Sequence, residues 1–441
     1  MSLHNMITAS EGLRFITGSD ISADYSHDEL AGGTQYAPDA VFEAADTQDV
    51  SRLLAACSAA GVPVTVRGAG TGKVGGSVAI HGGVVLSLKN MNKVLSFDET
   101  QKTVTVQPGV LLQDVKAEAE AHGLYYPPDP GEKTATVGGN ASTNASGPSA
   151  LKYGTTKNYI VDAEVVLADG SVVRLSDKPE YSYALGSEGT IGVITELTLR
   201  FVDKPAADAI LLLPFVDSES CVNAALRLRE FSPAILEYLD TDIVEFSGKV
   251  TGSPVFPVEM DGQRVGATLM LTLEGENEDE LDEQMEAVAE LAEELECLDI
   301  LVVDTPSLKR DVWAAHDAFH TAMETAAHES EINVNVPSQN IAAFINYAKE
   351  LESSACQIMA YAHVGSGGVH LHIISETGAD MEKISELIYA KCAELNGDIV
   401  GEYGVGYTKK AYLSREKRSG FKAKKAEFDP KGILNPGKVA D

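Results

Sequence analysis

The chain is short of cysteine and basic residues, and each shortage limits what the protein can be. Its 441 residues include one Trp and five Cys, and the cysteines are scattered without a Cys-x-x-Cys pair. That spacing fits reduced, mostly structural thiols of a cytosolic protein. Lys and Arg number 34 against 66 Asp and Glu, so the formal net charge is −32. Nucleic acids require clustered positive charge, and no nucleic-acid partner is therefore expected.

Long apolar runs and targeting patterns are also missing. The longest apolar patch, around residues 210–216, is interrupted by Pro214, so no membrane span is predicted. The N-terminus lacks a basic region followed by an apolar one, which argues against a signal peptide and predicts a cytoplasmic location. The densest acidic segment, residues 274–296, predicts a solvated helix face, with a docking surface as the alternative.

The two halves of the chain differ in character. Residues 35–205 alternate short Val-rich strands and helices with Gly-rich turns, and Asp169-Gly170 predicts a two-residue hairpin. Beyond residue 205 glycine becomes rarer, and helical patterns such as residues 306–328 alternate with strands. This arrangement predicts an α+β protein whose second domain has an antiparallel sheet with helices on one face.

Glycine is concentrated where a strand ends. The strand predicted over residues 62–66 runs into Arg67-Gly-Ala-Gly-Thr-Gly72, and Gly75-Gly-Ser77 follows. Glycines allow backbone N–H groups to converge on an anion, as in a phosphate-binding nest. The spacing is neither that of a P-loop nor a clean GxGxxG that opens a helix. By itself this cluster is explained better by a plain tight loop.

Two further segments change that interpretation. Residues 125–156 are crowded with small residues and amides, which cannot build a core but can line a narrow slot for a flat cofactor. Residues 185–195 run from a Gly-rich turn into a strand, and the chain closes with Phe428–Lys438 (FDPKGILNPGK). In this order the segments resemble the vanillyl-alcohol oxidase-type FAD family, in particular its glycolate oxidase and D-lactate dehydrogenase branch, over essentially the whole chain.

The resemblance implies a domain organisation and a flavin site. It implies a PCMH-type FAD-binding domain of two subdomains over residues 1–205, a substrate or cap domain over 206–425, and a C-terminal tail, 426–441, that returns to the flavin. The pyrophosphate would be held by Arg67, Gly68, Ala69, Gly70, Thr71, Gly72, Gly76 and Ser77. Other contacts would come from Asp129, Thr136, Gly139, Asn140, Ser142, Ser146, Glu188, Ile194 and Asn435.

The resemblance also bears on how FAD is attached. Related enzymes link the flavin covalently through a His just after the first glycine loop or a Cys in the second cluster. This chain has Thr71 in the loop and no Cys in the cluster. Non-covalent FAD is therefore expected.

Histidines are concentrated in the segment 361–373, YAHVGSGGVHLHI, which predicts a hairpin. Pairing of Val364 with Val369 would place His363 directly opposite His370, close enough for both to bind one metal ion. Alternation would then put His372 and Tyr361 on the same face.

Glu402 is the predicted third ligand of this ion, with an exposed loop acid as the alternative. Two His and one carboxylate leave positions on a divalent ion open for substrate. The resemblance supports this set, since D-2-hydroxyacid members of the family carry matching ligands. The expected ion is Zn, Mn or Fe.

The chain departs from the family at several positions. Ser366 and Gly368 replace Asp and Asn in the hairpin turn, and Tyr403 replaces a His often assigned as the base. His372 is therefore the predicted base, with Tyr403 second. A W-x-x-R motif whose Arg grips the substrate carboxylate becomes Trp313-Ala-Ala-His316, so His316 and His320, one helical turn further, are the predicted substrate residues.

These features predict an FAD- and metal-dependent dehydrogenase that oxidises a small 2-hydroxy acid, such as D-lactate or glycolate, to the 2-oxo acid. One alternative is an FAD-carrying electron-transfer or non-catalytic subunit of a multi-protein flavoenzyme, and another is an oxidoreductase for a different alcohol or sugar acid. The expected electron acceptor is an electron-transfer flavoprotein, an iron-sulfur subunit or a quinone. A homodimer is compatible with the sequence.

Overall fold

The computed structural model describes residues 3–9 and 12–439, and the chain divides into two compact units. The first unit contains Met1–Ala145, Thr155–Lys204 and Tyr403–Asp441, and the second contains Ser146–Gly154 and Pro205–Glu402. Apart from the short excursion over residues 146–154, the chain crosses into the second unit at Pro205. It rejoins the first unit at Tyr403, ahead of the tail that the sequence predicts from residue 426.

The first unit is built on two main sheets. The first has the order β1-β2-β4-β3, in which β2, β3 and β4 are parallel, and the second is antiparallel with the order β5-β6-β10-β8-β9. Its strands are β1 Phe15–Thr17, β2 Ala40–Glu43, β3 Val64–Arg67, β4 Val84–Ser87, β5 Val94–Asp98, β6 Thr103–Val106, β7 Leu124–Tyr125, β8 Ile160–Leu167, β9 Val172–Arg174, β10 Gly192–Arg200 and β11 Val202–Asp203. Its helices are α1 Leu3–Ala9, α2 Thr47–Ala60, α3 Leu112–Ala121, α4 Val137–Thr143 and, near the C-terminus, α12 Arg415–Phe428.

Local sequence signals account for much of this unit. The Asp46 side chain accepts a hydrogen bond from the Asp49 amide at the start of α2, and the helix ends at Gly61, whose φ of 68° is left-handed. The predicted hairpin is confirmed, since β8 and β9 pair across Gly170, which has φ 88°. Apolar side chains of α2 pack on β2, β3 and β4 in one buried cluster.

The second unit is organised around a seven-stranded antiparallel sheet with the order β17-β12-β16-β13-β19-β20-β18. Its strands are β12 Ala207–Phe215, β13 Ile235–Asp240, β14 Glu259–Met260, β15 Gln263–Arg264, β16 Ala267–Gly275, β17 Leu301–Val303, β18 His328–Asn335, β19 Cys356–His363 and β20 Gly368–Ser375. Its helices are α5 Ala150–Tyr153, α6 Ser218–Leu228, α7 Thr241–Thr251, α8 Glu278–Glu294, α9 Pro306–Met323, α10 Ile341–Glu350 and α11 Met381–Glu394.

Helices α7 and α9 pack on the sheet face that carries the histidine hairpin. Their side chains Ile243, Val312 and Phe319 share a buried cluster with Met359 and Tyr361 of β19. The predicted helix over residues 306–328 is five residues too long, because α9 ends at Met323 and β18 begins at His328. Strand pairing accounts for the difference, since the residues after His328 pair with β20 instead of extending the helix.

The α+β class is confirmed, with antiparallel sheets dominating both units. In the part of the chain that the structure describes, no helix is long and apolar enough to span a membrane.

Candidate functional site

The first glycine loop leaves β3 as an open backbone cradle. Arg67, the last residue of β3, is buried, and its guanidinium donates to the His27 carbonyl at 2.7 Å and the Ser77 hydroxyl at 3.4 Å. Among the described residues, none accepts a hydrogen bond from the amides of residues 69–72. Ala69 and Gly72 are exposed and Gly70 and Thr71 are half-buried, so these donors are open to solvent or to an anionic ligand.

The second small-residue segment lies against this loop. A Cβ at Gly68 would lie 2.2 Å from the Thr136 hydroxyl, so only glycine permits the approach. Thr136 caps α4, since its hydroxyl accepts from the Gly139 amide at 3.2 Å. Asn140 is buried in the same helix, and the Ser142 hydroxyl donates to the Gly138 carbonyl at 2.7 Å. The two segments thus form one surface of backbone and small side chains, here called the glycine cradle.

Glu188 and the C-terminal segment close the cradle at another side. The Glu188 carboxylate accepts from the amides of Val405 and Gly406 at 2.7 and 2.8 Å. Burial raises the pKa of Glu188, although these amides and nearby lysines oppose the shift. Asn435 joins the segment to β3, because its amide donates to the Val64 carbonyl at 2.8 Å and its side-chain oxygen accepts from Val66.

The remaining predicted flavin residues lie in different surroundings. Asp129 forms an ion pair with Lys116, and Ile194 is buried in β10. The Gly76 carbonyl accepts from the buried ammonium of Lys438 at 2.8 Å. Ser146 is assigned to the second unit, where its hydroxyl donates to Glu402 at 2.9 Å.

The histidine hairpin forms, but the predicted register is wrong by two residues. Gly368 lies opposite His363, and His370 lies opposite Tyr361. The register differs because the turn comprises residues 364–367, whereas pairing of Val364 with Val369 would place it over residues 365–368. The Gly367 amide closes the turn by donating to the His363 carbonyl at 2.9 Å. A shift of two residues preserves the sheet face, so all the predicted side chains still lie on one face.

The first histidine cluster consists of His363, His370 and Glu402, all of them buried. Nε2 of His363 and Nε2 of His370 each lie 3.4 Å from the same carboxylate oxygen, Oε2 of Glu402. Ligand atoms about 2.1 Å from a tetrahedral ion lie roughly 3.4 Å apart, so the three atoms could hold a divalent ion between them. The rings of His363 and His370 have centroids 5.1 Å apart, although the two residues are diagonal neighbours across the strands and not directly opposed as the sequence predicts.

Two carboxylates from neighbouring strands orient these histidines. Glu237 lies opposite His363 in β13 and its oxygens are 2.7 Å from Nδ1 of that ring. Glu331 of β18 is 2.9 Å from Nδ1 of His370. A carboxylate at Nδ1 holds the proton there and directs the Nε2 lone pair outward, which is the usual arrangement around a metal-binding histidine. Both rings therefore present Nε2 to Glu402.

The charges of the cluster are strongly coupled. Burial would lower the pKa of His363, but Glu237 and Glu402 outweigh it and hold that pKa well above its usual value. Burial would likewise raise the pKa of Glu402, yet His363 and His370 hold it well below the usual range. Glu237 behaves in the same way, with His363 and His316 lowering its pKa against the effect of burial. In the absence of an ion, these carboxylates thus rely on histidine protons.

Asn333 connects the two strands of the cluster with Glu402. It lies opposite His370 in β18, and its side-chain nitrogen is 3.1 Å from Nε2 of that ring. Its side-chain oxygen accepts from the Glu402 amide at 2.6 Å. The side chain therefore positions the backbone of Glu402 beside the histidines.

The predicted substrate and base residues are distributed over both units. His316 is buried in α9 with Nε2 3.3 Å from Glu237, and His320 is partly exposed with Nδ1 3.5 Å from Glu331. His372 is fully buried, and Nδ1 of its ring is 3.0 Å from Glu329. Tyr403 is assigned to the first unit, where the ammonium groups of Lys73 and Lys409 lie 5.8 and 5.9 Å from its ring centroid.

Sequence reasoning missed the carboxylates and the amide that support the histidines. Glu237, Glu329, Glu331 and Asn333 are buried or nearly so, although their residue types usually lie at the surface. A signal was present in β13, where Glu237 interrupts the apolar run ILEYLD. An acidic residue at a buried strand position indicates a partner, but the sequence does not say which strand supplies it.

Comparisons with known proteins agree with this architecture. Residues 38–176 match the FAD binding domain family, and residues 204–439 match the C-terminal domain of FAD linked oxidases. The chain is 39% identical to a D-lactate dehydrogenase of Anaerostipes hadrus, over 97% of this chain and 94% of the relative. It is 33% identical to a glycolate oxidase subunit of Bacillus subtilis, over 92% of this chain and 89% of the relative.

Solved structures share the fold at low sequence identity. p-Cresol methylhydroxylase matches with a TM-score of 0.79 and 18% identity, over 99% of this chain and 96% of that structure. Alkyldihydroxyacetonephosphate synthase matches with a TM-score of 0.78 and 18% identity, over 98% of this chain and 84% of that structure. With both domain families matched and relatives aligned over almost its full length, the chain belongs to the FAD-linked oxidase family with a PCMH-type FAD domain and is an FAD-dependent oxidoreductase acting on CH–OH donors.

Proposed function

We propose that the protein oxidises a small 2-hydroxy acid to the 2-oxo acid, with D-lactate as the first candidate substrate and glycolate as the second. The observation that carries the proposal is the buried His363–His370–Glu402 cluster, whose ligand atoms converge in a chain that belongs to the FAD-linked oxidases. The named activities of the Anaerostipes and Bacillus relatives support the same substrate class.

The glycine cradle fits FAD held without a covalent link. The amides of residues 69–72 donate to no acceptor among the described residues and suit a pyrophosphate. The close approach at Gly68 leaves a surface of backbone for a flat ring system. No His follows in the loop at Thr71, and no Cys lies in the second cluster. The predicted contacts of Arg67, Asp129, Glu188, Ile194 and Asn435 remain proposals. Acid precipitation should release all yellow colour into the supernatant, and colour in the pellet would indicate a covalent bond.

The first histidine cluster fits a divalent ion of the Zn, Mn or Fe class. Two imidazoles and one carboxylate form a mixed N/O donor set that leaves coordination positions open. When bound, the ion supplies Lewis acidity toward the substrate hydroxyl, and FAD supplies a two-electron acceptor for the hydrogen on the α-carbon. Glu237 and Glu331 keep the His363 and His370 rings oriented with Nε2 toward the ligand.

Removal of the hydroxyl proton requires a base, and two side chains are candidates. Glu329 holds Nδ1 of His372 at 3.0 Å, and Nε2 of that buried ring has no hydrogen-bond partner among the described residues. Such a ring offers its lone pair to a proton. Tyr403, with two lysines near its ring, is the second candidate.

Recognition of the substrate carboxylate is assigned to His316 and His320 of α9. Burial would lower the pKa of His316, but Asp317 and Glu237 outweigh it and raise that pKa, so the ring gains positive charge. His320 faces the same sheet, with its ring centroid 6.0 Å from that of His372. His316 occupies the place of the Arg that the family resemblance leads one to expect, and His320 lies one helical turn further.

Anaerobic reduction of the flavin tests the proposal directly. Purified protein saturated with FAD and a divalent metal should lose its visible flavin absorbance with D-lactate or glycolate and form the 2-oxo acid. L-Lactate and neutral alcohols serve as matched controls. Retention of flavin absorbance with every 2-hydroxy acid would instead favour a non-catalytic or electron-transfer subunit, and bleaching by a sugar acid or neutral alcohol alone would change the substrate class. Reoxidation by an electron-transfer flavoprotein, an iron-sulfur protein or a quinone would identify the acceptor.

A further inference from the structure

A second group of metal-ligand side chains lies on the same sheet face as the first. It consists of His320 from α9, Glu331 from β18 and His372 from β20, and their ligand atoms lie within 4.8 Å of one another. We propose that these three residues hold a second divalent cation, next to the cluster of His363, His370 and Glu402. This set is called the second cluster below.

The distances between ligand atoms suit a single ion. Nδ1 of His320 is 3.5 Å from Oε2 of Glu331, and Nε2 of His372 is 4.0 Å from Oε1 of the same carboxylate. Ligand atoms bound at about 2.1 Å in a tetrahedral arrangement are roughly 3.4 Å apart, so small side-chain adjustments bring all three onto one ion. The donor set is again two imidazoles and one carboxylate, which binds divalent ions of the Zn or Mn class.

The His372 ring is prepared for a ligand at the second cluster. It is fully buried, Glu329 lies 3.0 Å from its Nδ1, and its Nε2 has no hydrogen-bond partner among the described residues. A buried nitrogen without a partner costs free energy unless something binds it. The carboxylate at Nδ1 fixes the tautomer that directs the Nε2 lone pair toward Glu331, as for the histidines of the first cluster.

Glu331 links the two clusters. Its Oε1 is 2.9 Å from Nδ1 of His370, a ligand in the first cluster, while its Oε2 faces Nδ1 of His320 in the second. Backbone pairing places it opposite His372, so strands β18 and β20 fix both contacts. One carboxylate therefore orients a ligand of one ion and binds the other, and the two sites are expected to influence each other's affinity.

The charge on this face favours two ions over one. Four carboxylates, those of Glu237, Glu329, Glu331 and Glu402, have side chains that are at most 8% exposed. Buried carboxylates require matching positive charge, and neutral imidazoles do not supply it. Two divalent ions carry four positive charges, so they would match these four carboxylates without protons on the ligand nitrogens of the histidines.

A second ion would give His320 and His372 a shared role as metal ligands, in place of direct contact with the substrate. An ion held by His320 and His372 would offer a substrate carboxylate the positive charge that an Arg at position 316 of α9 would otherwise supply. Its binding also uses the Nε2 lone pair of His372, so Tyr403 then becomes the base. This part rests on the proposed oxidation of a 2-hydroxy acid, whereas the ion site itself does not.

Metal stoichiometry tests the site independently of activity. The full chain with bound FAD would be stripped with a chelator, dialysed to equilibrium against Zn²⁺ or Co²⁺, and analysed for metal per chain. Wild-type protein should bind two ions, His320→Ala one, and the ligand-retaining variant His320→Asp two, with a weaker second affinity. His328→Ala, which alters an exposed histidine at the start of β18, should keep both ions.

Two outcomes would overturn the proposal: saturation of the wild type at one ion, or two ions retained by His320→Ala. Far-UV circular dichroism and FAD content would verify that the variants are folded. For the carboxylate role, KM for D-lactate should rise about tenfold in His320→Ala, while the affinity for D-lactamide, which lacks the charge, should not change. Two bound ions without flavin reduction by any hydroxy acid would instead refute the proposed function and leave the second site standing.

Discussion

The glycine cradle and the histidine clusters differ in the kind of atoms that they offer to a ligand. The cradle is made of backbone and small side chains, and its key positions lie close together in sequence, as in residues 67–77 and 136–142. The histidine clusters are made of large ionisable side chains, most of them brought onto one sheet face by four adjacent strands, β13, β19, β20 and β18. His320 of α9 and Glu402, in a turn after α11, complete them. The cradle depends on the absence of side chains at its glycines, whereas the clusters depend on the pairing of carboxylates with imidazoles.

This contrast determines how each region responds to substitution. In the cradle, an added Cβ causes steric overlap with a neighbouring segment, as at Gly68. In the clusters, a removed ligand or carboxylate leaves a buried charge without its partner. Damage to one region should therefore leave the ligand of the other in place.

The largest effect is expected from Glu402→Gln. The amide keeps the shape of the side chain but is a poor metal ligand, so the ion of the first cluster should be lost and the rate of flavin reduction should fall about 10³-fold. FAD content should stay at the wild-type level, because the cradle belongs to the other unit. Elemental analysis, flavin absorbance and stopped-flow reduction provide the measurements. Glu294→Gln, on the exposed side of α8, is the matched control, and loss of FAD in Glu402→Gln would contradict the separation of the two regions.

Gly68→Ala should show the reverse pattern. The new Cβ would lie 2.2 Å from the Thr136 hydroxyl, so the two segments would have to move apart. This shift should destabilise the first unit by about 1–3 kcal/mol. We expect most of the FAD to be lost while metal per chain is retained. Thermal unfolding and flavin content measure the two effects. Gly131→Ala, where nothing lies within 4 Å of the new atom, should behave as wild type. Normal FAD content in Gly68→Ala would show that the cradle can shift.

The pH dependence of stability should show whether burial of Lys438, beside the cradle, costs free energy when its ammonium is charged. Burial lowers the pKa of Lys438 to about 7, although Asp28 and Glu188 oppose the shift. In the unfolded chain the pKa of this lysine is near 10.4. Between about pH 7 and pH 10 the side chain is therefore protonated in the unfolded chain but mostly neutral in the folded chain. Stability of the FAD-free protein should rise with pH in this window, by up to about 1.4 kcal/mol per pH unit.

Comparison with Lys438→Met isolates this contribution from other titrating groups. The wild type should gain stability relative to the variant as pH rises from 7 to 9, measured by urea unfolding at each pH. Lys431→Met removes an ammonium that donates to the Ser58 carbonyl near the same C-terminal segment, and it should show no such slope. Parallel curves for the wild type and Lys438→Met would show that the ammonium stays charged inside the fold.

The smallest effect concerns His316, whose charge is shared with Glu237. Its pKa is raised in the fold, so the protonated ring persists at and above the reference value of about 6.5 and is lost as pH rises further. If His316 grips the substrate carboxylate, KM should rise a few-fold above that pH with little change in kcat. His316→Arg should make KM low and independent of pH, and His316→Ala should raise it throughout. Equal KM values in the three proteins would remove His316 from the site.

Local signals allowed several parts of the structure to be predicted. The hairpin at Asp169-Gly170 follows from turn chemistry that acts over a few residues. The histidine face was predicted correctly although the register was not, because a two-residue shift leaves every side chain on the same side of the sheet. The end of α9 was misplaced because pairing with β20 competes with helical propensity after Met323.

By itself, the sequence determined the features that depend only on nearby residues. These are the glycines that clear space for a cofactor, and the alternation along the hairpin that puts three histidines on one sheet face. Only the tertiary structure decided which carboxylates meet those histidines. Glu237 and Glu331 are 126 and 32 residues from His363 in the chain, and the strand order β13-β19-β20-β18 brings them to either side of the hairpin. Strand order depends on the packing of the whole sheet, and no local pattern encodes it.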